Sequence, residues 1–95
     1  MIRIKYLWTV APGDEDQFVR DWQEGTRRIQ ANCEGALGSF LIRDQNQPTH
    51  FYGIARWESN EAYFAALSDM RTLNLPRMPE SYEFFNELCH IPPKK

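Results

Sequence analysis

Residues 51–57 read FYGIARW and run directly into ESNEAYFAAL. As a period-two strand, this segment carries large side chains on both faces. A core needs apolar residues on one face only. Either something must cover the second face, or some of the rings must line a cavity, and few small folds meet that demand.

The neighbouring segments narrow the choice. In 2–11, IRIKYLWTVA, Ile2, Ile4, Tyr6, Trp8 and Val10 point one way and Arg3, Lys5, Leu7 and Thr9 the other, which predicts a first strand. Pro12-Gly13 punctuates it, and Asp14, Glu15 and Asp16 suit the positive end of a helix dipole. Residues 14–31 keep helical time, with Phe18, Val19, Trp22 and Ile29 on one face. Gly25 in mid-helix costs roughly 1 kcal/mol relative to Ala, which close packing on a sheet would excuse. Glu34-Gly35 ends the segment. A second strand fits 36–43, ALGSFLIR, and the polar turn DQNQPT leads into the third, so the two form a hairpin. Ser59 or Asn60 can cap a second helix over 60–70, with Ala62, Tyr63, Ala66, Leu67 and Met70 inward. Residues 71–81, RTLNLPRMPES, predict a loop with at most one helical turn. The last piece, YEFFNELCHIPP, suits a helix or a strand over 84–91; a strand is preferred because it completes the sheet.

The resulting order is β-α-β-β-α-β in a single domain, 1–95. Right-handed crossovers put both helices on one face of a four-stranded antiparallel sheet, a ferredoxin-like α+β fold. The other face keeps apolar and aromatic residues too numerous to leave wet. A second copy packed face to face, making a homodimeric α+β barrel, covers it economically. A chain of 95 residues buries only roughly 60–65% of its unfolded surface, so dimerisation would also add to a thin stability margin.

Composition excludes several function classes. The 11 basic and 13 acidic residues are mixed, giving a net charge of −2 with no basic cluster for nucleic acid beyond the terminal Lys94-Lys95, read as a solvated tail. No apolar run approaches a membrane span, and the first residues lack a signal-peptide pattern, so a cytoplasmic protein is expected. Cys33 and Cys89 lack metal or CxxC spacing and read as free thiols. The acidic cluster at 14–16 reads as a helix start rather than a metal site. His50 reads as a solvated residue beside a turn, and His90 has no visible partner.

The strand ending ValAlaProGly, the helix with Phe18, and above all ArgTrpGluSerAsnGluAlaTyr at 56–63 resemble the antibiotic biosynthesis monooxygenase family. The resemblance covers 1 to about 70. It implies dimeric α+β barrels with a cavity between sheet and helices in each protomer. Some members oxygenate electron-rich aromatics without flavin, haem or metal; others degrade haem, act on quinols or signalling molecules, or have no shown activity. Haem-degrading members use an Asn in the first strand, a Trp ending the third and an iron-binding His on the second helix. Trp57 matches the Trp, Tyr6 or a neighbour stands at the Asn, and Leu67 stands at the His, while His50 and His90 lie off that helix, so no cofactor is expected. Polyketide-oxidising members use the same Trp, a Tyr on the following helix, an Asn in the third strand and an Arg beyond the helix. Trp57 and Tyr63 match, Arg77 is the candidate Arg, and Gly53 stands at the Asn.

Cofactor-independent oxygenation needs a substrate that gives an electron to dioxygen, usually as a phenolate or enolate. The protein must hold the anion, exclude water and supply a proton. Trp57 and Tyr63 can stack on and hydrogen-bond a planar ring, and Arg77 can hold the anion. Tyr6, Phe18, Trp22 and Gly53 are expected around the substrate; Gly53 could leave room for a ring or mark a bulge. Trp8 and Trp22 also suit core or interface positions. The expected function is a cofactor-independent monooxygenase acting on a small phenol, quinol or polyketide-like aromatic. The alternative is a non-catalytic dimeric barrel that binds an apolar ligand or supports a stress or biosynthetic pathway. An open aromatic cavity with a cation or hydroxyl near Trp57 would favour the first, and a ring-filled one the second.

Overall fold

The structure, a computed structural model, describes all residues except Asn74, Pro76 and Lys95. Parts of the expected 71–81 loop and of the basic tail therefore lie outside the described residues. Six elements follow in the predicted order: β1 (Ile2–Thr9), α1 (Glu15–Asn32), β2 (Ala36–Arg43), β3 (His50–Trp57), α2 (Asn60–Thr72) and β4 (Ser81–Asn86). The strands form one antiparallel sheet in the order β2-β3-β1-β4.

Register explains how the alternating sequences share their faces. Ile2 pairs with Trp57, Ile4 with Ala55, Tyr6 with Gly53 and Trp8 with Phe51, so these side chains all point to the side the helices cover. Two clusters fill that side. Ile2, Ile4, Ala55 and Trp57 meet Cys33, Tyr63 and Ala66, while Val10, Phe18 and Phe51 form the second with Trp8 and Trp22 against them. Burial of these apolar faces is the main force holding the helices to the sheet.

The helix signals behave as their chemistry demands. Ser59 caps α2 through Oγ, which accepts the Ala62 N–H at 3.0 Å. Acidic Glu15 and Asp16 occupy the first turn of α1. α2 runs two residues beyond its expected end, to Thr72. Gly25 is buried on α1. Gly38, at φ +116°, sits in a bulge between Ala36 and Ser39, where the β2–β3 register shifts.

Gly35 fixes how closely α2 can approach β2. A Cβ there would stand 2.6 Å from the Ala62 Cβ and 3.5 Å from the Trp57 ring. Gly35→Ala must push α2 outward, at a cost of about 1–3 kcal/mol. We expect calorimetry to show a melting point lower by roughly 5–20 °C; an unchanged melting point would refute this contact.

The last strand differs from its expected bounds of 84–91. β4 pairs Ser81–Asn86 with Leu7–Ile2, and one further hydrogen bond, Glu87 N–H to Met1 O at 3.0 Å, ends the ladder. The strand stops before Leu88 and Ile91. Cys33 is buried and Cys89 exposed, and both are free thiols.

The sheet face without helices carries Leu7, Tyr52 and Ile54 beside Phe40, Ile42 and Phe85, the last three 49, 47 and 48% exposed. Charges organise its margin. Glu87 accepts from Arg3 Nε at 2.7 Å and from Arg56 Nε and Nη2, both at 2.9 Å. Arg56, then Arg3, pull the Glu87 carboxyl from its usual 4.5 down to about 2. A depressed carboxylate stabilises the fold above its unfolded pKa, and that contribution fades as the pH falls from about 4.5 towards 2. Melting temperature should drop across that window, and Glu87→Gln should flatten the drop. Parallel pH profiles for the two proteins would assign acid sensitivity elsewhere.

No helix of the described residues is long and apolar enough to cross a membrane.

Candidate functional site

Between the sheet and the two helices lies a cavity of about 570 Å³, within the ~300–1,000 Å³ range of small-molecule sites. Its floor is the helix-facing side of β1 and β3, and α1 and α2 form the walls. The lining is largely apolar and aromatic. All seven residues singled out from the sequence border it: Trp57, Tyr63, Arg77, Tyr6, Phe18, Trp22 and Gly53.

They do not sit there in the same way. Trp57 ends β3 and is 2% exposed, so most of its ring is packed. It meets Tyr63 edge-on, with centroids 5.3 Å apart and planes at 81°. Phe84 also meets Tyr63 edge-on at 5.4 Å, which fixes the phenol between β3 and β4. The Tyr6 and Tyr63 phenols are close enough to act on each other's ionisation. Burial drives both phenol pKa values upward, helped at Tyr6 by the neighbouring Tyr63. Both therefore stay protonated at neutral pH. A protonated phenol at the cavity wall can donate its O–H.

Arg77 lines the cavity with its charge already engaged. Its Nη1 donates to Asp14 at 2.8 Å and its Nε to Asp21 at 3.0 Å. The guanidinium carbon stands 5.5 Å from the centre of the Phe18 ring. Asp21 also accepts from Gln17, and these donors hold its carboxyl below the usual range. In this geometry Arg77 bridges the segment after α2 to α1, and the two carboxylates leave it no net positive field for an anion.

Gly53 shows what its missing side chain provides. A Cβ there would lie 2.9 and 3.2 Å from two Trp8 ring carbons and 3.3 Å from Trp22 Nε1. Trp8 itself fills the room that the sequence suggested for a substrate ring. The sequence reading also missed Tyr82 and Asp21 as lining residues. Tyr82 enters because β4 pairs it with Tyr6, a register no local pattern encodes.

The antibiotic biosynthesis monooxygenase family model matches residues 1–69. The chain belongs to this family. Solved structures extend the likeness over nearly the whole family fold. The cofactor-independent oxygenase SnoaB from Streptomyces nogalater is 18% identical with a TM-score of 0.73, covering 97% of each chain. The heme-degrader MhuD from Mycobacterium tuberculosis is 17% identical with a TM-score of 0.74, covering 96% of this chain and 98% of its own. A conserved protein from Methanosarcina mazei is 13% identical with a TM-score of 0.66, covering 92% of each chain. At such identities these likenesses establish the fold. No curated protein matches the chain. Membership of the antibiotic biosynthesis monooxygenase family supports a monooxygenase-type function.

Haem does not suit the residues present. Leu67, the position that the resemblance aligns with an iron-binding His, lines the cavity, and neither His50 nor His90 borders it. Among the described residues no group of three His, Cys, Asp or Glu side chains could hold a metal ion.

Proposed function

We propose that this chain is a cofactor-independent monooxygenase that oxidises a small electron-rich aromatic with dioxygen. The reading rests on one observation above all. The cavity is open, lined by rings, and bordered by the Tyr63 phenol, which stands in edge contact with Trp57. A phenol with a free ring position can supply every electron needed. Its C–H and O–H become a quinone, one oxygen atom stays in the product, and the other leaves as water. The protein's share is to hold the ring, keep water out and give a proton to the reduced oxygen. Tyr63 takes the proton-donor role, with Trp57 as the ring that supports it and Tyr6, Phe18, Trp22 and Gly53 shaping the pocket. Arg77, bonded to Asp14 and Asp21, serves as a positioning residue at the cavity edge.

The experiment is oxygen uptake by purified protein with a panel of hydroquinones and dihydroxynaphthalenes and no added cofactor. We expect uptake well above autoxidation for at least one fused-ring phenol. Background rates for every member would favour the alternative, a non-catalytic barrel that binds an apolar ligand, a reading the neutralised Arg77 supports.

The functional unit we propose is a homodimer closed over the helix-free face. Phe40, Ile42 and Phe85 are too exposed there for a lone protomer. Sedimentation at micromolar concentration should give twice the monomer mass.

A further inference from the structure

β3 presents Phe51, Gly53, Ala55 and Trp57 to the helix side, and only Gly53 offers no side chain. Trp22, from the middle of α1, brings its indole nitrogen to this gap, 3.3 Å from where a Cβ of residue 53 would stand. The ring is held in place, packed against the Val10, Phe18 and Phe51 cluster. An indole N–H can only donate, and a fixed ring cannot turn to seek another partner.

No described residue accepts that hydrogen. The nearby carboxylate, Asp21, has one oxygen bonded to Gln17 and the other to Arg77. β3 is paired on both sides, Gly53 with Tyr6 and with Leu41, so the ladders use the carbonyls of the strand. Unlike Trp8 Nε1, this nitrogen is not sealed from solvent, so a ligand oxygen can take the place of water on it. Trp8, whose ring lies on Gly53, fills the space behind this donor. A ligand can therefore present an edge oxygen here, but not insert a ring.

We propose that the Trp22 indole N–H positions the substrate by donating to a carbonyl or phenolate oxygen on the ring edge that faces Gly53. This makes Trp22 a specificity residue: planar aromatics with an acceptor at that edge bind, and bare hydrocarbons of the same shape are disfavoured. The inference rests on the cavity being the substrate site, as in the function proposed above. It adds a donor from α1, where the family resemblance looks to β3 for an Asn.

Nuclear magnetic resonance of the full-length protein tests it without turnover. The indole N–H signals of Trp8, Trp22 and Trp57 can be told apart, the Trp22 signal being the one missing in Trp22→Phe. Titration with menadione should move the Trp22 signal downfield, as a new hydrogen bond requires, and methylnaphthalene should not. Trp22→Phe should weaken menadione binding roughly 3–10-fold while leaving methylnaphthalene binding nearly unchanged. The assignment is overturned if wild-type protein fails to bind menadione, if the Trp22 signal does not move downfield, or if the variant binds both probes as the wild type does. A downfield shift at Trp8 instead would also overturn it, since Trp8 Nε1 is a buried indole N–H without an acceptor in the same wall. The outcomes separate from those of the oxygenase reading. Binding through Trp22 with no oxygen uptake leaves this donor in place and removes the reaction, and uptake that ignores Trp22→Phe does the reverse.

Discussion

Tyr63→Phe is expected to lower kcat for oxygen uptake by roughly 100-fold or more, the usual range for losing a positioned acid. The substitution keeps the ring, and with it the edge contacts to Trp57 and Phe84 at 5.3 and 5.4 Å. It removes only the hydroxyl. That hydroxyl lies beside the buried Tyr6 phenol, so its loss also costs about 1–3 kcal/mol of stability. Rates must therefore be compared far below the melting point. Tyr6→Phe is the control, because it removes the neighbouring buried hydroxyl and leaves the Tyr63 hydroxyl in place. If Tyr63 donates the proton, Tyr63→Phe should lose far more activity than Tyr6→Phe while both lose similar stability. Equal rate losses would assign the pair to structure. Burial raises the pKa of both phenols, so neither should impose an alkaline limit near neutral pH.

Phe18→Ala is expected to cost about 3–5 kcal/mol, the largest stability loss of any single truncation considered. Phe18 is 1% exposed. Its ring lies 5.4 Å from Trp8 and 5.0 Å from Phe51, and the Arg77 guanidinium stands over it. One side chain thus ties α1 to β1 and β3 and supports the bridge at the cavity edge. In a domain of this size the loss corresponds to a melting point lower by roughly 15–30 °C. Urea denaturation measures it, and a cost below about 1 kcal/mol would mean that the cavity wall collapses to fill the gap.

Much of this arrangement was legible in the sequence because its signals are periodic. The alternation in 2–11 placed Tyr6 and Trp8 on the helix side of β1, and the helical spacing placed Tyr63, Ala66 and Leu67 on the inner face of α2. The run from Trp57 to Tyr63 carried the family and two rings that line the cavity. What escaped depends on long-range pairing. β4 spans only the residues that pair with β1, so apolar Leu88 and Ile91 fall outside the strand despite their suitable pattern. The occupant of the space over Gly53 is Trp8, 45 positions away in sequence but one strand away in the sheet. Arg77 was recognisable as a cation near the site, but its engagement by Asp14 and Asp21 follows only from how α1 meets the segment after α2.

The most direct measurement uses isotope-labelled dioxygen with chelator-treated protein and a dihydroxynaphthalene. If the cavity oxygenates its ligand unaided, mass spectrometry will find one labelled oxygen atom in the quinone product, at a yield abolished by Tyr63→Phe. Unlabelled quinone, with the label recovered as peroxide or water alone, would contradict that reaction.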